Sequence, residues 1–215
     1  MTETHKLYGG AFNARDLNNP RTIIAHWVPL AANVLEVGPG DGVISRWLRE
    51  NRGCHTTGVE IEPVATFHAA DAFEQILIGS IEDPAITSQV AAHGPFDAII
   101  FADVLEHLVD PWKVLREMRP LLSPIGRVLI SVPNIAHWTA RLNLLLGRFD
   151  YTDGYLMDRT HLRWFTRRTA REMALQTGYL VMVQSTVFKP HIARFWPTLM
   201  GFQTVLNLAP STAGK

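Results

Sequence analysis

The sequence predicts a doubly wound α/β fold, a mostly parallel sheet with helices on both faces, and three observations predict it. Short apolar runs alternate with segments of helical periodicity, the βαβ signature. A glycine-rich turn, Gly38-Pro39-Gly40-Asp41-Gly42, falls where the first apolar run passes into the first helix. Apolar residues make up 47% of the 215, enough for a core of native proportions and too many for a disordered chain.

Residues 33–37 read as the first strand and 41–50 as the helix after it, with Val43, Ile44, Trp47 and Leu48 at helical spacing. A second strand is expected over 55–59, a helix over 63–70 with Pro63 at its start, and a short third strand over 75–78. A helix over 84–92 is closed by Gly94-Pro95, and 96–101 is a buried fourth strand. Asp110 caps a helix whose first position is Pro111 and which runs to about 122. The fifth strand covers 127–132. An amphipathic segment follows over 135–149, with Trp138, Leu142, Leu145, Leu146 and Phe149 on one side, and then an irregular stretch over 150–165. A helix over 167–177 ends at Gly178, 179–187 alternates like a strand, Trp196-Pro197 interrupts the tail, and 202–208 supplies the last strand. Five parallel strands and a terminal strand pair make a seven-stranded sheet in one domain over 1–215, with its ligand beyond the strand C-termini.

Twenty Lys and Arg balance twenty Asp and Glu, so no global charge points to nucleic acid or to an anionic membrane, and no nucleic-acid partner is expected. Charged residues total 19%, below the roughly 25% of a typical domain, consistent with surface covered by a substrate, a partner or a second subunit. The balance is not local. Residues 54–111 carry ten acids and no Lys or Arg, whereas 141–171 carries seven arginines against three acids. Either the two regions neutralise each other across the fold, or the acidic half houses a cation and the basic half meets an anion. Cys54 is the only cysteine, which excludes an intramolecular disulfide and a thiolate metal cluster. The polar N-terminus lacks a signal-peptide core, and no run approaches the ~20 apolar residues of a membrane span, so a cytoplasmic protein without a transmembrane segment is expected.

The glycine turn is not the dinucleotide fingerprint, because its third glycine comes one residue early. Glu36 before it and Asp41 within it would repel a pyrophosphate, so a cationic, phosphate-free ligand suits it better than a nicotinamide dinucleotide. Glu60 closes the second strand, where a carboxylate can accept both hydroxyls of a ribose. S-adenosylmethionine satisfies both demands, with its ribose, its sulfonium and its ammonium.

The run Val34-Leu35-Glu36-Val37-Gly38-Pro39-Gly40-Asp41-Gly42, then Gly58-Val59-Glu60, Phe96-Asp97-Ala98-Ile99-Ile100, Asp103-Val104-Leu105-Glu106-His107 and Gly126-Arg127-Val128-Leu129-Ile130-Ser131-Val132-Pro133-Asn134, resembles the class I S-adenosylmethionine-dependent methyltransferases. The resemblance implies a Rossmann-like fold with its cofactor core over about 20–134, a small helical substrate cover over about 135–165 and a C-terminal helix and strand pair over about 166–210. It implies that Glu36, Gly38 and Gly40 line the methionine end, with Pro39, Asp41 and Gly42 also in the cofactor set, that Glu60 holds the ribose, and that Ile61 packs on the adenine. Ser80-Ile81 stands where the family often has an acid reading the adenine amine, so that contact is weaker or passes to Glu82; Ala102 and Asp103 complete the cofactor set. Pro124-Ile125-Gly126 replaces the usual Pro-Gly-Gly turn, and Ile disfavours positive φ, so a different turn type is expected there.

His107 follows the fourth strand beside the expected methyl group and suits either general-base work or ordering of its loop. Asp103, Glu106 and His107 also resemble a trio that can hold a divalent metal in ubiquinone-biosynthesis O-methyltransferases, which adds Mg²⁺ to the cofactor expectation. Residues 133–148 resemble the MetW-like methyltransferase relatives, and Asp158-Arg159-Thr160-His161-Leu162-Arg163-Trp164-Phe165 extends that likeness. His137, Asp158, Arg159, His161 and Arg163 are then candidate contacts to a polar or anionic acceptor such as a sugar, unless Asp158 and Arg159 simply pair. Trp138 and Trp164 are expected in the core. The apolar face over 135–149 could meet a membrane, a partner enzyme or a second copy, but covering the site is more economical. The expected activity is S-adenosylmethionine-dependent methyl transfer to a small-molecule acceptor, an oxygen of a sugar or related metabolite; the alternative is a non-catalytic, MetW-like regulator that binds the cofactor and acts through a partner enzyme.

Overall fold

The computed structural model describes residues 12–63, 65, 69–188 and 195–211. In chain order they form α1 (Pro20–Trp27), β1 (Asn33–Val37), α2 (Val43–Arg52), β2 (His55–Glu60), β3 (Gln75–Ile78), α3 (Pro84–Ala91), β4 (Phe96–Ala102), α4 (Pro111–Met118), β5 (Leu122–Pro133), α5 (Trp138–Leu145), α6 (Arg167–Gln176), β6 (Tyr179–Phe188), α7 (Pro197–Met200) and β7 (Gly201–Pro210). The strands make one seven-stranded sheet in the order β3-β2-β1-β4-β5-β7-β6. Strands β1 to β5 are parallel, and β7 runs antiparallel to both β5 and β6. The expected helix over 63–70 lies largely outside the described residues.

Alternation along the strands builds two cores. Leu35 and Val37 of β1, Ile99 and Phe101 of β4, and Val128 and Ile130 of β5 face α3, α4 and α6. Val34, Ala98, Ile100 and Leu129, their neighbours in sequence, face α1 and α2 on the other side. Glu36 shares the parity of Val34, so this carboxylate is directed into the α1–α2 side instead of into solvent.

The helices begin where their sequences provide acceptors for free N–H groups. Asp83 and Asp110 accept from Ala85 N and Lys113 N, each with proline at the next position. Thr166 and Thr169 form a reciprocal capping box at the start of α6. Helix α1 was not expected; its signal is Asn19-Pro20, where the Asn19 side chain accepts from Arg21 N.

Several boundaries differ from expectation. Helix α2 begins at Val43 because Gly42 is left-handed and serves as its N-cap. Helix α4 stops at Met118, and a 3-10 turn, Arg119–Leu121, hands the chain to a β5 that starts at Leu122. Pro124-Ile125-Gly126 therefore lies within a strand, and neither Ile125 nor Gly126 has positive φ. The amphipathic segment forms only an eight-residue helix, with Ala140 as its one buried residue. Trp138, Leu142, Leu145, Leu146 and Phe149 are exposed, so Trp138 is not a core residue. No helix among the described residues is long and apolar enough to cross a membrane.

Candidate active site

Four parallel strands end side by side at one edge of the sheet, and the turns leaving them build the site. Val37 of β1 pairs with Val59 of β2 and Phe101 of β4, while Glu60 pairs with Ile78 of β3. Beyond that edge is a cleft of about 500 Å³, within the range of small-ligand sites. Gly38, Pro39, Ala102 and Asp103 form its floor, and residues 153–155 and 158–161 form the opposite wall.

The turn after β1 needs glycine. Gly38 has φ +63, and a Cβ there would stand 2.7 Å from Val104 Cγ2, inside contact distance. The turn is tied to β2 by Gly40 N, which donates to Glu60 Oε2 at 3.1 Å, while Glu62 N donates to Oε1 at 2.9 Å. Glu60 is buried and is the acceptor at the mouth of this turn. Ile61, next in sequence, is exposed. Ser80 Oγ accepts from Glu82 N, and the Glu82 carboxylate accepts from Val109 N and Asp110 N, so Glu82 is committed to fixing the next loop. Ile81 is part of the core.

Glu36 is buried beside the turn, with the Ser45 hydroxyl donating to its Oε2. Burial raises its carboxyl to about 7, against the lowering effect of that hydrogen bond and of Arg21. Arg21, at the start of α1, lies 3.7 Å from Asp41 and lines the cleft. Its signal is the same Asn19-Pro20 helix start.

After β4 the chain makes a strained turn. Asp103 has φ +58 and accepts from Ser131 Oγ at 2.9 Å and from Gln203 Nε2 at 2.7 Å. One 3-10 turn, Leu105–His107, then buries Glu106 and leaves His107 on the cleft. Both Glu106 oxygens are buried without a hydrogen-bond partner. Burial, with Asp103 and Asp158 nearby, holds its carboxyl well above the usual range.

The 158–163 segment docks against this turn. Leu162 N and Arg163 N both donate to the Glu106 carbonyl, at 2.8 and 2.9 Å. The His107 and His161 rings meet edge-on, centroids 4.8 Å apart. The metal expectation shifts accordingly. Ligand atoms of Glu106, His107 and His161 lie within 4.8 Å of one another, and Asp103, held by Ser131 and Gln203, is outside that group. Two imidazoles and a carboxylate with unpartnered oxygens are a chemically suitable donor set for a divalent ion.

The acceptor candidates divide. Asp158 and Arg159 do not pair: Asp158 accepts from Thr160 Oγ1 at 2.6 Å, and Arg159 pairs with Asp153 at 2.8 Å. Asp158, Arg159 and His161 line the cleft. Arg163 turns away from it, with its guanidinium donating to the Val109 carbonyl. His137 caps α5, its ring accepting from Thr139 N, and lies outside the cleft lining. Of the expected cover over 135–165, only residues from 153 onward face the cleft. Trp164 is half-buried, its ring against Phe149 and His161.

A family model described as a methyltransferase domain matches residues 12–183. The ubiquinone biosynthesis O-methyltransferase of Xylella fastidiosa is 37% identical over 118 residues, covering 52% of this chain and 46% of that relative. The protein of the same name from Aeromonas salmonicida is 33% identical over 105 residues, covering 47% and 43%. The chain thus spans about half the length of these curated relatives. Among solved structures, an S-adenosylmethionine-dependent methyltransferase of Aquifex aeolicus aligns over 97% of this chain and 98% of its own, with TM-score 0.61 and 13% identity. A TehB-like methyltransferase of Corynebacterium glutamicum aligns over 91% and 89%, with TM-score 0.59 and 17% identity. At these identities the structural likeness speaks for the fold.

Proposed function

The chain belongs to the methyltransferase domain family, and from that premise we propose that it transfers a methyl group from S-adenosylmethionine to a hydroxyl oxygen of a small polar metabolite. The observation that carries the reading is the meeting, in one cleft at the strand C-termini, of the glycine turn after β1 with the His107 imidazole after β4. The O-methyltransferase names of the partial relatives support oxygen as the acceptor.

S-adenosylmethionine supplies an electrophilic methyl carbon on a sulfonium. Asp41 and Asp103, with Glu36 beside the turn, would complement its positive groups, and Glu60 and Ile61 would take the ribose and the adenine. The chain's main task is alignment, because an in-line displacement is governed by approach geometry. As the acceptor oxygen bonds to the methyl carbon, the S–C bond breaks and the hydroxyl proton passes to the His107 imidazole. S-adenosylhomocysteine and the methyl ether leave.

A second reading, in which a divalent cation assists, is favoured by the unpartnered Glu106 oxygens beside His107 and His161. Those three residues would hold it, and such an ion would supply polarisation of the acceptor hydroxyl.

The test is a methyl-transfer screen with labelled S-adenosylmethionine against phenolic, polyhydroxylic and amine acceptors, with Mg²⁺ and with chelator. Transfer to hydroxylated acceptors supports the proposal. Transfer only to amines, or cofactor binding with no turnover on any class, contradicts it; the latter favours the regulatory alternative.

A further inference from the structure

Thr160 stands between a carboxylate and an imidazole, and the direction of its hydrogen bonds is determined. Its hydroxyl donates to Asp158 Oδ1 at 2.6 Å, and its backbone N–H donates to the same oxygen at 2.8 Å. The Asp158 Oδ1 that takes the Thr160 N–H is thereby an acceptor, so the single hydroxyl hydrogen of Thr160, 2.6 Å away, is committed to it. Thr160 Oγ1 therefore presents lone pairs to His107 Nδ1, 3.1 Å away. The Thr160 carbonyl oxygen, also an acceptor, lies 3.3 Å from the same nitrogen. Two acceptors facing one ring nitrogen require that nitrogen to carry the hydrogen.

We propose that Asp158 and Thr160 are positioning residues that lock His107 in its Nδ1–H tautomer, leaving the lone pair on Nε2 as the atom that receives the acceptor's proton. The catalytic consequence rests on the proposed role of His107 as base, whereas the tautomer does not. The arrangement is built into the docking of two segments. Leu162 N and Arg163 N on the Glu106 carbonyl, and Arg163 Nε on Val109 O at 3.0 Å, fasten the 158–163 loop to the turn that carries His107. His161 N closes the loop on Asp158 O at 3.1 Å. The Asp-x-Thr spacing gives one carboxylate oxygen both the N–H and the hydroxyl of Thr160, and so fixes which way the hydroxyl points.

The experiment is long-range ¹H–¹⁵N correlation of the full chain, ¹⁵N-labelled, at alkaline pH, with the His107→Gln spectrum identifying the signals. The expected result is a protonated Nδ1 and an unprotonated Nε2 in the unsubstituted protein. In Asp158→Ala the Thr160 hydroxyl loses its acceptor, its hydrogen is free to turn toward His107, and the Nε2–H tautomer gains population. In that variant kcat falls about tenfold or more with little change in KM for S-adenosylmethionine, and Thr160→Ser, which keeps the hydroxyl, keeps the Nδ1–H tautomer. A protonated Nε2 with a bare Nδ1 in the unsubstituted protein overturns the proposal without any variant. An unchanged tautomer in folded Asp158→Ala also overturns it. If the tautomer shifts but turnover does not, the positioning pair stands and the role of His107 as base fails.

Discussion

The backbone N–H of Gly40 donates to Glu60 Oε2 at 3.1 Å, so the turn leaving β1 and the carboxylate ending β2 are a single unit. The same carboxylate accepts from Glu62 N at 2.9 Å, which fixes the chain entering the next segment. On the proposed reading the same carboxylate would also meet the ribose, so its removal costs both the contact and the shape of the turn.

Glu60→Ala should therefore weaken binding of S-adenosylhomocysteine by at least about tenfold, from loss of charge-assisted hydrogen bonds of ~1.5–3 kcal/mol each. Calorimetric titration checks this. Unchanged affinity in the folded variant would remove Glu60 from the ribose site.

Gly38→Ala places a methyl 2.7 Å from Val104 Cγ2 at a backbone φ of +63. The left-handed conformation alone costs about 1–2 kcal/mol for an L-residue, and the clash adds to it. Urea unfolding should show that loss, with cofactor affinity falling in parallel. Gly53→Ala is the control, because it has a similar φ of +64 but nothing within 4 Å of the added carbon. It should be destabilised less.

Burial raises the Glu36 carboxyl from 4.5 to about 7. Across that interval the folded state keeps a proton the unfolded chain has released, so this group's contribution is fullest below pH 4.5 and is lost as pH rises to about 7. The loss is on the order of 3 kcal/mol. Glu106, also raised by burial, contributes a slope of the same sign. Glu36→Gln should flatten the fall in stability between pH 5 and 7 in urea titrations, and adding Glu106→Gln should flatten it further. An unchanged slope in Glu36→Gln would mean that Glu36 is ionised in the folded protein.

If a divalent ion occupies the Glu106–His107–His161 group, Mn²⁺ should raise Tm by about 2–4 °C, the shift for ~1 kcal/mol of linkage in a chain this size. Glu106→Gln should remove that shift. A shift of equal size in the variant would place the ion elsewhere.

The sheet was legible because buried parallel strands are short, continuous apolar runs, and β1, β3 and β4 fall close to where those runs lie. The glycine turn was legible because positive φ leaves few other residues available. What was not legible depends on contacts distant in sequence. Asp103 reads as a metal ligand beside Glu106, and nothing local in the sequence shows that Ser131 and Gln203 arrive from β5 and β7 to hold its Oδ1. Arg163 reads as a substrate contact until the Val109 carbonyl takes its guanidinium. Thr160 gave no signal of its own, since its role depends on the docking of the 158–163 loop against the turn after β4. The apolar residues over 142–149 have the composition of a covered helix face, yet in the isolated chain they remain exposed.

The central claim is that this cleft binds S-adenosylmethionine, and calorimetric titration of the purified chain with S-adenosylmethionine, S-adenosylhomocysteine and NAD tests it most directly. The account predicts saturable binding of the two adenosyl ligands and none of NAD. Binding of NAD alone, or of none of the three, would contradict it.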